Sequence, residues 1–378
     1  MTAKVAFLFL GETLLIPHLY PIVEAVVEAA PALPVDLWVA TSMHEALIGS
    51  WLREAGIGSV RIRRAPGFRT LSGYQDGRNP PLPAKLPTLF RLAPRLRGVP
   101  IIVCAEQTSL WLPRVLPMRA RFLNVLHGAG TMMNRDDRRR RAAWKTIVPA
   151  EREREALAAH GIDPASVVVA GYVKAGFRHL TTARALFETD QPIVLYAPHW
   201  QRHRSSWWQW GEQAIETVIS SGRYNLIFAP HQRLVEKATG VRNVAARIAG
   251  LPHVHCDLDS FAMVDGSYTA AADLYLGDTS SQVVEFLMRP RPCVFLDPLS
   301  VTWQGDPSYE MWSAGEVVTD ITALDAALAR APGTHSTFVA LQERFAQAQL
   351  GDTSGAAPAR AAQVILQELS APVCAEQS

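Results

Sequence analysis

The feature that most constrains this chain is an alternation, run through twice, of short apolar segments rich in β-branched residues with longer amphipathic stretches. In the first half, strands are predicted over residues 5–10, 35–40, 59–63, 101–105, 122–126, 145–148 and 167–170. Helical spacing falls between them at residues 21–30, 45–55 and 151–160, the last two stopped by Gly56 and Gly161. The rhythm restarts at Ile193, with strands expected over residues 193–197, 225–229, 253–256, 273–277, 293–296 and 316–319. Helices are expected over 211–220, near Leu234 and over 280–288, and three more over 323–330, 337–347 and 359–369. Strands that are apolar throughout must be covered on both faces, which a parallel sheet between helical layers provides. The class is α/β: two Rossmann-like domains whose parallel sheets face a cleft between them.

Length agrees with two units, since 378 residues exceed the roughly 150 of an ordinary domain. The expected division is 1–175, a connector at 176–192, a second domain at 193–355, and a C-terminal helix and tail at 356–378. Residues 65–100, punctuated by Pro and Gly, interrupt the first alternation and are expected to hold short helices and loops. With 48% apolar and 19% charged residues the chain is too apolar to stay disordered. The 37 basic against 35 acidic residues leave +2, which gives no whole-molecule field for a nucleic-acid partner; any basic site is local. Cys104, Cys256, Cys293 and Cys374 form no CxxC pair, so a reducing compartment fits. Gly11 and Glu12 break the first apolar run before a signal-peptide core forms, and no run reaches the ~18 apolar residues of a membrane span.

Chemistry concentrates where strands end. Residues 272–296 read as a strand, the polar turn GDTSS, a helix and another strand. Amides at a helix start favour an anion, and Thr279, Ser280 and Ser281 add hydroxyl donors, although the same residues are ordinary N-caps. His127 follows the strand at 122–126 and His231 follows the one at 225–229, so both belong at carboxyl edges. A neutral imidazole there accepts a proton from a hydroxyl or donates to a phosphate. A strand-end histidine is also commonly structural.

In combination, HG at His127, a GY turn at Gly171, YAP at Tyr196, PH at Pro230 and ADLYLGDTSS from Ala272 resemble, in that order over residues 123–320, the CDP-glycerol glycerophosphotransferases of teichoic-acid and related surface-polymer synthesis. The resemblance implies a GT-B fold with an acceptor-side N-terminal domain and a nucleotide-donor C-terminal domain. It implies His127 as catalytic base or acceptor-positioning group, and His231 as a donor-phosphate contact or second catalytic histidine. Asp278, Thr279, Ser280 and Ser281 would surround the pyrophosphate, and Glu285 would hold a ribose or acceptor hydroxyl, against the plain reading of a first-turn acid. It further implies a CDP-linked donor, a polymer or lipid-linked acceptor, no cofactor, and a cytoplasmic enzyme with peripheral contact to the inner face of the membrane as an option. The chain departs from the family pattern in three places. Ala129, Gly130 and Thr131 follow HG where the family has a proline and a lysine, which removes a cationic phosphate contact; Thr279 replaces a tyrosine, and His199 a threonine.

Residues 197–204, APHWQRH and its neighbour Arg204, add His199, Arg202 and Arg204 as donor-phosphate contacts, with plain surface exposure the equal alternative for the two arginines. His199 and His203 stand four apart, but without a clear helix or an acidic third ligand no metal site is assigned. Trp207, Trp208 and Trp210 stack on a base or simply pack, and the arginine-rich run at 135–141 is a polymer or membrane contact or a solvated face. The rival functions are a GT-B glycosyltransferase or UDP-sugar 2-epimerase-like enzyme, and a non-enzymatic nucleotide-binding subunit.

Overall fold

The structure, a computed structural model, describes residues 4–72, 81–127 and 138–371. Gly128 to Thr131 after His127, residues 135–137 of the arginine run, and Cys374 with the end of the tail lie outside the described residues. The first sheet contains β1 (Val5–Phe9), β2 (Val35–Thr41), β3 (Val60–Arg69), β4 (Ile101–Cys104), β5 (Arg121–Val125), β6 (Lys145–Val148) and β7 (Val167–Val169). Their order is β3-β2-β1-β4-β5-β6-β7, every pairing parallel. The second contains β8 (Ile193–Tyr196), β9 (Asn225–Phe228), β10 (Val254–Cys256), β11 (Leu274–Gly277), β12 (Cys293–Leu296) and β13 (Glu316–Val318), in the parallel order β10-β9-β8-β11-β12-β13.

Central strands such as β1, β4, β8 and β11 are buried at every position, which explains why they read as unbroken apolar runs. In each sheet the chain first builds outward on one side and then crosses to the other, so the order reverses beside β1 and beside β8. Crevices open at such reversals, at the carboxyl ends of the strands. The segments after β1, β4, β8 and β11 therefore carry the side chains to examine.

Three local differences from the sequence reading have simple causes. β3 runs on to Arg69 through Pro66 and Gly67, with a register shift opposite β2 between Val39 and Thr41 absorbing the irregularity. The helix expected at 211–220 begins at Trp207, because Trp207 joins Gly211, Ala214, Ile215 and Val218 on one buried stripe. The helix expected at 280–288 is only Gln282–Phe286. At five residues it aligns too few peptide dipoles to act as a strong anion end.

The C-terminal helix Ala357–Ser370 returns to the first domain, burying Ala357, Ala361, Ala362 and Ile365 in the core that also contains helix Ile16–Ala29. The segment before it clamps the whole link between β7 and β8, residues 170–192, which is the connector from here on: the Asp352 carbonyl accepts from the Tyr172 amide at 2.9 Å. Gly171 is required there, since its φ is +98° and a Cβ would lie 2.6 Å from the Asp352 carbonyl oxygen. Phe261 of the second domain packs into the first domain's core against Trp51, with ring centroids 5.8 Å apart.

Candidate functional site

The carboxyl ends of β8 and β11 are tied together by one buried carboxylate. Asp278, 1% exposed, accepts from the backbone amides of His199 at 2.9 Å, Ser206 at 2.7 Å and Thr279 at 2.7 Å, and from the Ser206 hydroxyl at 3.0 Å. Burial pushes its carboxyl up to about 6, against the opposing pull of those donors. Thr279 donates to the Arg204 carbonyl at 3.2 Å, and Ser280 is fully buried. The turn expected to surround a pyrophosphate thus directs Asp278, Thr279 and Ser280 inward, where they fix the loops. Ser281 alone of the four is exposed.

Beside that turn a cavity of about 170 Å³ opens between the domains. Ser281, Glu285 and His231 line it from the second domain and His18 from the first. Lys174, from the turn Val173–Gly176 that follows Gly171, is the lysine or arginine among the described lining residues. Its ammonium bonds both carboxylate oxygens of Glu285, at 2.8 and 2.7 Å, and the Tyr172 hydroxyl donates to the same group at 2.7 Å. The expected ribose contact is therefore held by the connector.

The hydrogen bonds of the two predicted histidines determine what each offers. His127 Nδ1 lies 2.8 Å from the Ala105 carbonyl oxygen. A carbonyl only accepts, so Nδ1 carries the proton and Nε2 presents a lone pair. Burial, with the charges of Arg140 and Lys85 nearby, lowers its pKa. His231 is the reverse. It caps helix Gln232–Lys237, its Nδ1 accepting from the Arg233 amide at 3.1 Å, which leaves the proton of the neutral ring on Nε2. Burial pushes its pKa down to about 4, so the ring is neutral at pH 7.

The two rings stand differently toward this cavity. His231 is on its wall. His127 stands one ring behind the wall, edge-on to His18 with centroids 6.3 Å apart. His199 stands 5.9 Å from His231, with its Nδ1 accepting from the Gln201 amide, and burial pushes its pKa down to about 3. Arg202 lies outside the cavity with its guanidinium over Trp208 at 5.1 Å, while Arg204 is buried and donates to the Ser308 carbonyl. Trp207 packs on Phe228, with centroids 5.6 Å apart. Within the arginine run, Arg140 is turned into the protein, while Arg141 is exposed and donates to the His160 carbonyl. Sequence reading missed His18 and Lys174. His18 follows β1 at the same sheet edge that drew attention to His127, and Lys174 stands two residues past the quoted GY turn.

Two parallel Rossmann-like sheets facing an interdomain cavity define the GT-B architecture, and comparison with known proteins agrees. No protein-family model matches the chain, and no curated protein matches it in sequence. Among solved structures it is similar to the wall teichoic acid polymerase TagF, at 12% identity and a TM-score of 0.65, over 97% of this chain and 88% of that one. It is also similar to a UDP-N-acetylglucosamine 2-epimerase, at 12% identity and TM-score 0.62 over 98% and 97% of the two chains. The UDP-GlcNAc 2-epimerase of Methanocaldococcus jannaschii aligns at 12% identity and TM-score 0.59, over 97% of this chain and 100% of that one. A further TagF structure in this group is a histidine-to-asparagine variant soaked with CDPG.

Proposed function

We propose that this chain is a GT-B transferase that moves glycerol phosphate from CDP-glycerol to a hydroxyl of a polymer or lipid-linked acceptor in surface-polymer synthesis. The observation that carries the reading is the opposite tautomers of two histidines: His231, a proton donor on the wall of the interdomain cavity, and His127, a proton acceptor one ring behind that wall against His18. The His127 Nε2 lone pair takes the acceptor hydroxyl's proton as its oxygen attacks the phosphorus that bears glycerol. The bond from that phosphorus to the bridging oxygen breaks, and CMP leaves with the electron pair. His231 Nε2–H and the Lys174 ammonium face the charge gathering on the phosphoryl and leaving-group oxygens, a task of placement and electrostatics. Lys174 also fills the role of the lysine absent after HG. The cavity holds the volume of roughly a dozen waters, which suits a diphosphate with parts of its substituents.

A membrane-borne acceptor is supported by a second feature. Glu106, the sole acid within residues 81–127, is buried, while Arg97 and Arg119 line an apolar groove with Phe90, Leu96, Leu116 and Met118, and Arg91, Arg95 and Arg114 stand on the short helices that neighbour it in the chain. Leu86, Phe90 and Val115 are 44–46% exposed beside it. Cations around exposed apolar side chains suit an anionic lipid surface. No helix among the described residues is long and apolar enough to cross a membrane.

The second reading is a UDP-sugar 2-epimerase-like or glycosyl-transferring enzyme, in which bond breaking occurs at the sugar carbon. Its support is the near-complete mutual coverage with the two epimerases, 97% and 100% of their chains against 88% for TagF. Incubating the protein with CDP-, UDP- and GDP-linked donors and an acceptor extract, then weighing the released nucleotide, separates the two. CMP is expected; intact UDP with no CMP refutes the glycerophosphate assignment.

A further inference from the structure

His18 packs edge-on against Tyr172, with ring centroids 5.7 Å apart, but makes no hydrogen bond among the described residues. It is 4% exposed and stands in the second turn of the chain's return from β1, on helix Ile16–Ala29, where it reaches the cavity wall. Its Nδ1 is sealed from solvent with no hydrogen-bond partner, and no other bond to the ring is seen among the described residues. A buried imidazole that supports a fold normally spends at least one nitrogen on a neighbour, as His44 does on Thr41 at 2.8 Å and His127 on Ala105. Leaving a buried N–H unmet is worse tolerated than leaving a lone pair unmet. The proton therefore sits on Nε2, the nitrogen available to the cavity, and the ring stays neutral because burial and Lys174 disfavour a second charge.

We propose that His18 is a ligand-binding residue whose Nε2–H donates to a phosphoryl oxygen of a diphosphate held across the cavity from His231 and Ser281. This rests on reading the cavity as a diphosphate site. The anion then meets donors from both domains: His18 from the first, Lys174 from the connector, His231 and Ser281 from the second. Ligand binding bridges the cleft and completes the partnership that His18 lacks. The same ring lies edge-on to His127, so an oxygen held by His18 is placed beside the proposed base.

The test uses the full chain and inorganic pyrophosphate in isothermal titration calorimetry. His18→Ala is expected to weaken binding about tenfold or more, because a hydrogen bond to a charged group is lost. His18→Gln puts an amide N–H near the Nε2 position and is expected to stay within about threefold of the parent, whereas His18→Asn, whose amide overlaps Nδ1 instead, behaves like the alanine variant. Circular dichroism and thermal midpoints check that each variant is folded. Should His18→Ala fail to fold, the Nε2 resonance of His18 in the 15N-histidine-labelled parent, assigned with the Gln variant, must move on adding pyrophosphate. Absence of pyrophosphate binding by the parent, equal binding by a folded His18→Ala, or an unmoved Nε2 resonance overturns the proposal. Donor turnover is scored separately: release of UDP alone defeats the glycerophosphate reading while leaving the His18 contact standing, and CMP release with His18→Ala binding unchanged does the reverse.

Discussion

Lys174→Met tests the tie between the connector and the second domain. The Lys174 side chain is 9% exposed and that of Glu285 13%, so the variant leaves a nearly buried carboxylate with the Tyr172 hydroxyl as its remaining partner among the described residues. Breaking a buried pair from one side costs about 3–5 kcal/mol when the surviving charge is fully sealed. The cavity wets one side of Glu285, which brings the expected loss to about 2–3 kcal/mol. In a cooperative unit of roughly 200 residues each kcal/mol shifts the midpoint by about 2–4 °C, so melting should fall by roughly 5–10 °C. Glu285→Gln should cost less, because its carbonyl oxygen still accepts from Tyr172 and Lys174. The double variant should be better than the sum of the singles by about 1 kcal/mol or more. Calorimetric melts of the four proteins in one buffer measure this cycle. A Lys174→Met protein melting within about 1 °C of the parent, or strict additivity, would refute the reasoning.

Other outcomes follow from the same geometry. His127→Ala should lower donor turnover by about 10²–10⁴-fold while leaving pyrophosphate binding in place; unchanged turnover would favour the non-enzymatic alternative. His231→Asn keeps a capping acceptor near Nδ1 but removes the Nε2 donor, so the melting midpoint should hold while pyrophosphate affinity drops about tenfold, and a fall in the midpoint alone would make the ring purely structural. His44, 1% exposed, has its pKa pushed down to about 4 by burial. Its unfolded form takes up a proton first as pH falls below about 6.5, so its contribution is complete above that value and drains away toward pH 4, by about 2–3 kcal/mol at pH 4.5. His44→Gln should therefore lose correspondingly less stability than the parent between pH 7 and 4.5 in urea titrations; parallel pH profiles would contradict the assignment. Replacing Arg91, Arg95 and Arg97 with Glu should abolish cosedimentation with phosphatidylglycerol vesicles at low salt without altering pyrophosphate binding, and retained cosedimentation would locate the membrane face elsewhere.

What could be read from the chain was whatever short-range pattern encodes. The bounds of β6 and β12 were legible to the residue; in β12, CVFL, cover on both faces leaves no polar interruption. Helix Thr239–Ile248 was passed over although Val241, Val244, Ala245 and Ile248 follow helical spacing; the polar residues between them hid a short stripe. At the site, strand ends flagged His127 and His231 because a parallel sheet puts its carboxyl edges on one side. The DTSS turn was legible as a turn, but its inward orientation was not. Whether Asp278 faces a ligand or gathers amides depends on His199 and Ser206, 79 and 72 residues earlier in the chain.

The sequence by itself determined two parallel-sheet domains and the edge of each on which chemistry belongs, since periodicity and burial act within a few residues. Only the tertiary structure decided which side chains meet there. Lys174 and Glu285 are 111 residues apart, and His18 reaches His127 only through the order in which β1, β4 and β5 assemble. A tautomer is likewise set by whichever neighbour the fold supplies: a carbonyl at Ala105 makes His127 an acceptor, and an amide at Arg233 makes His231 a donor. The same residue type thus receives opposite chemistry from contacts that no local pattern records.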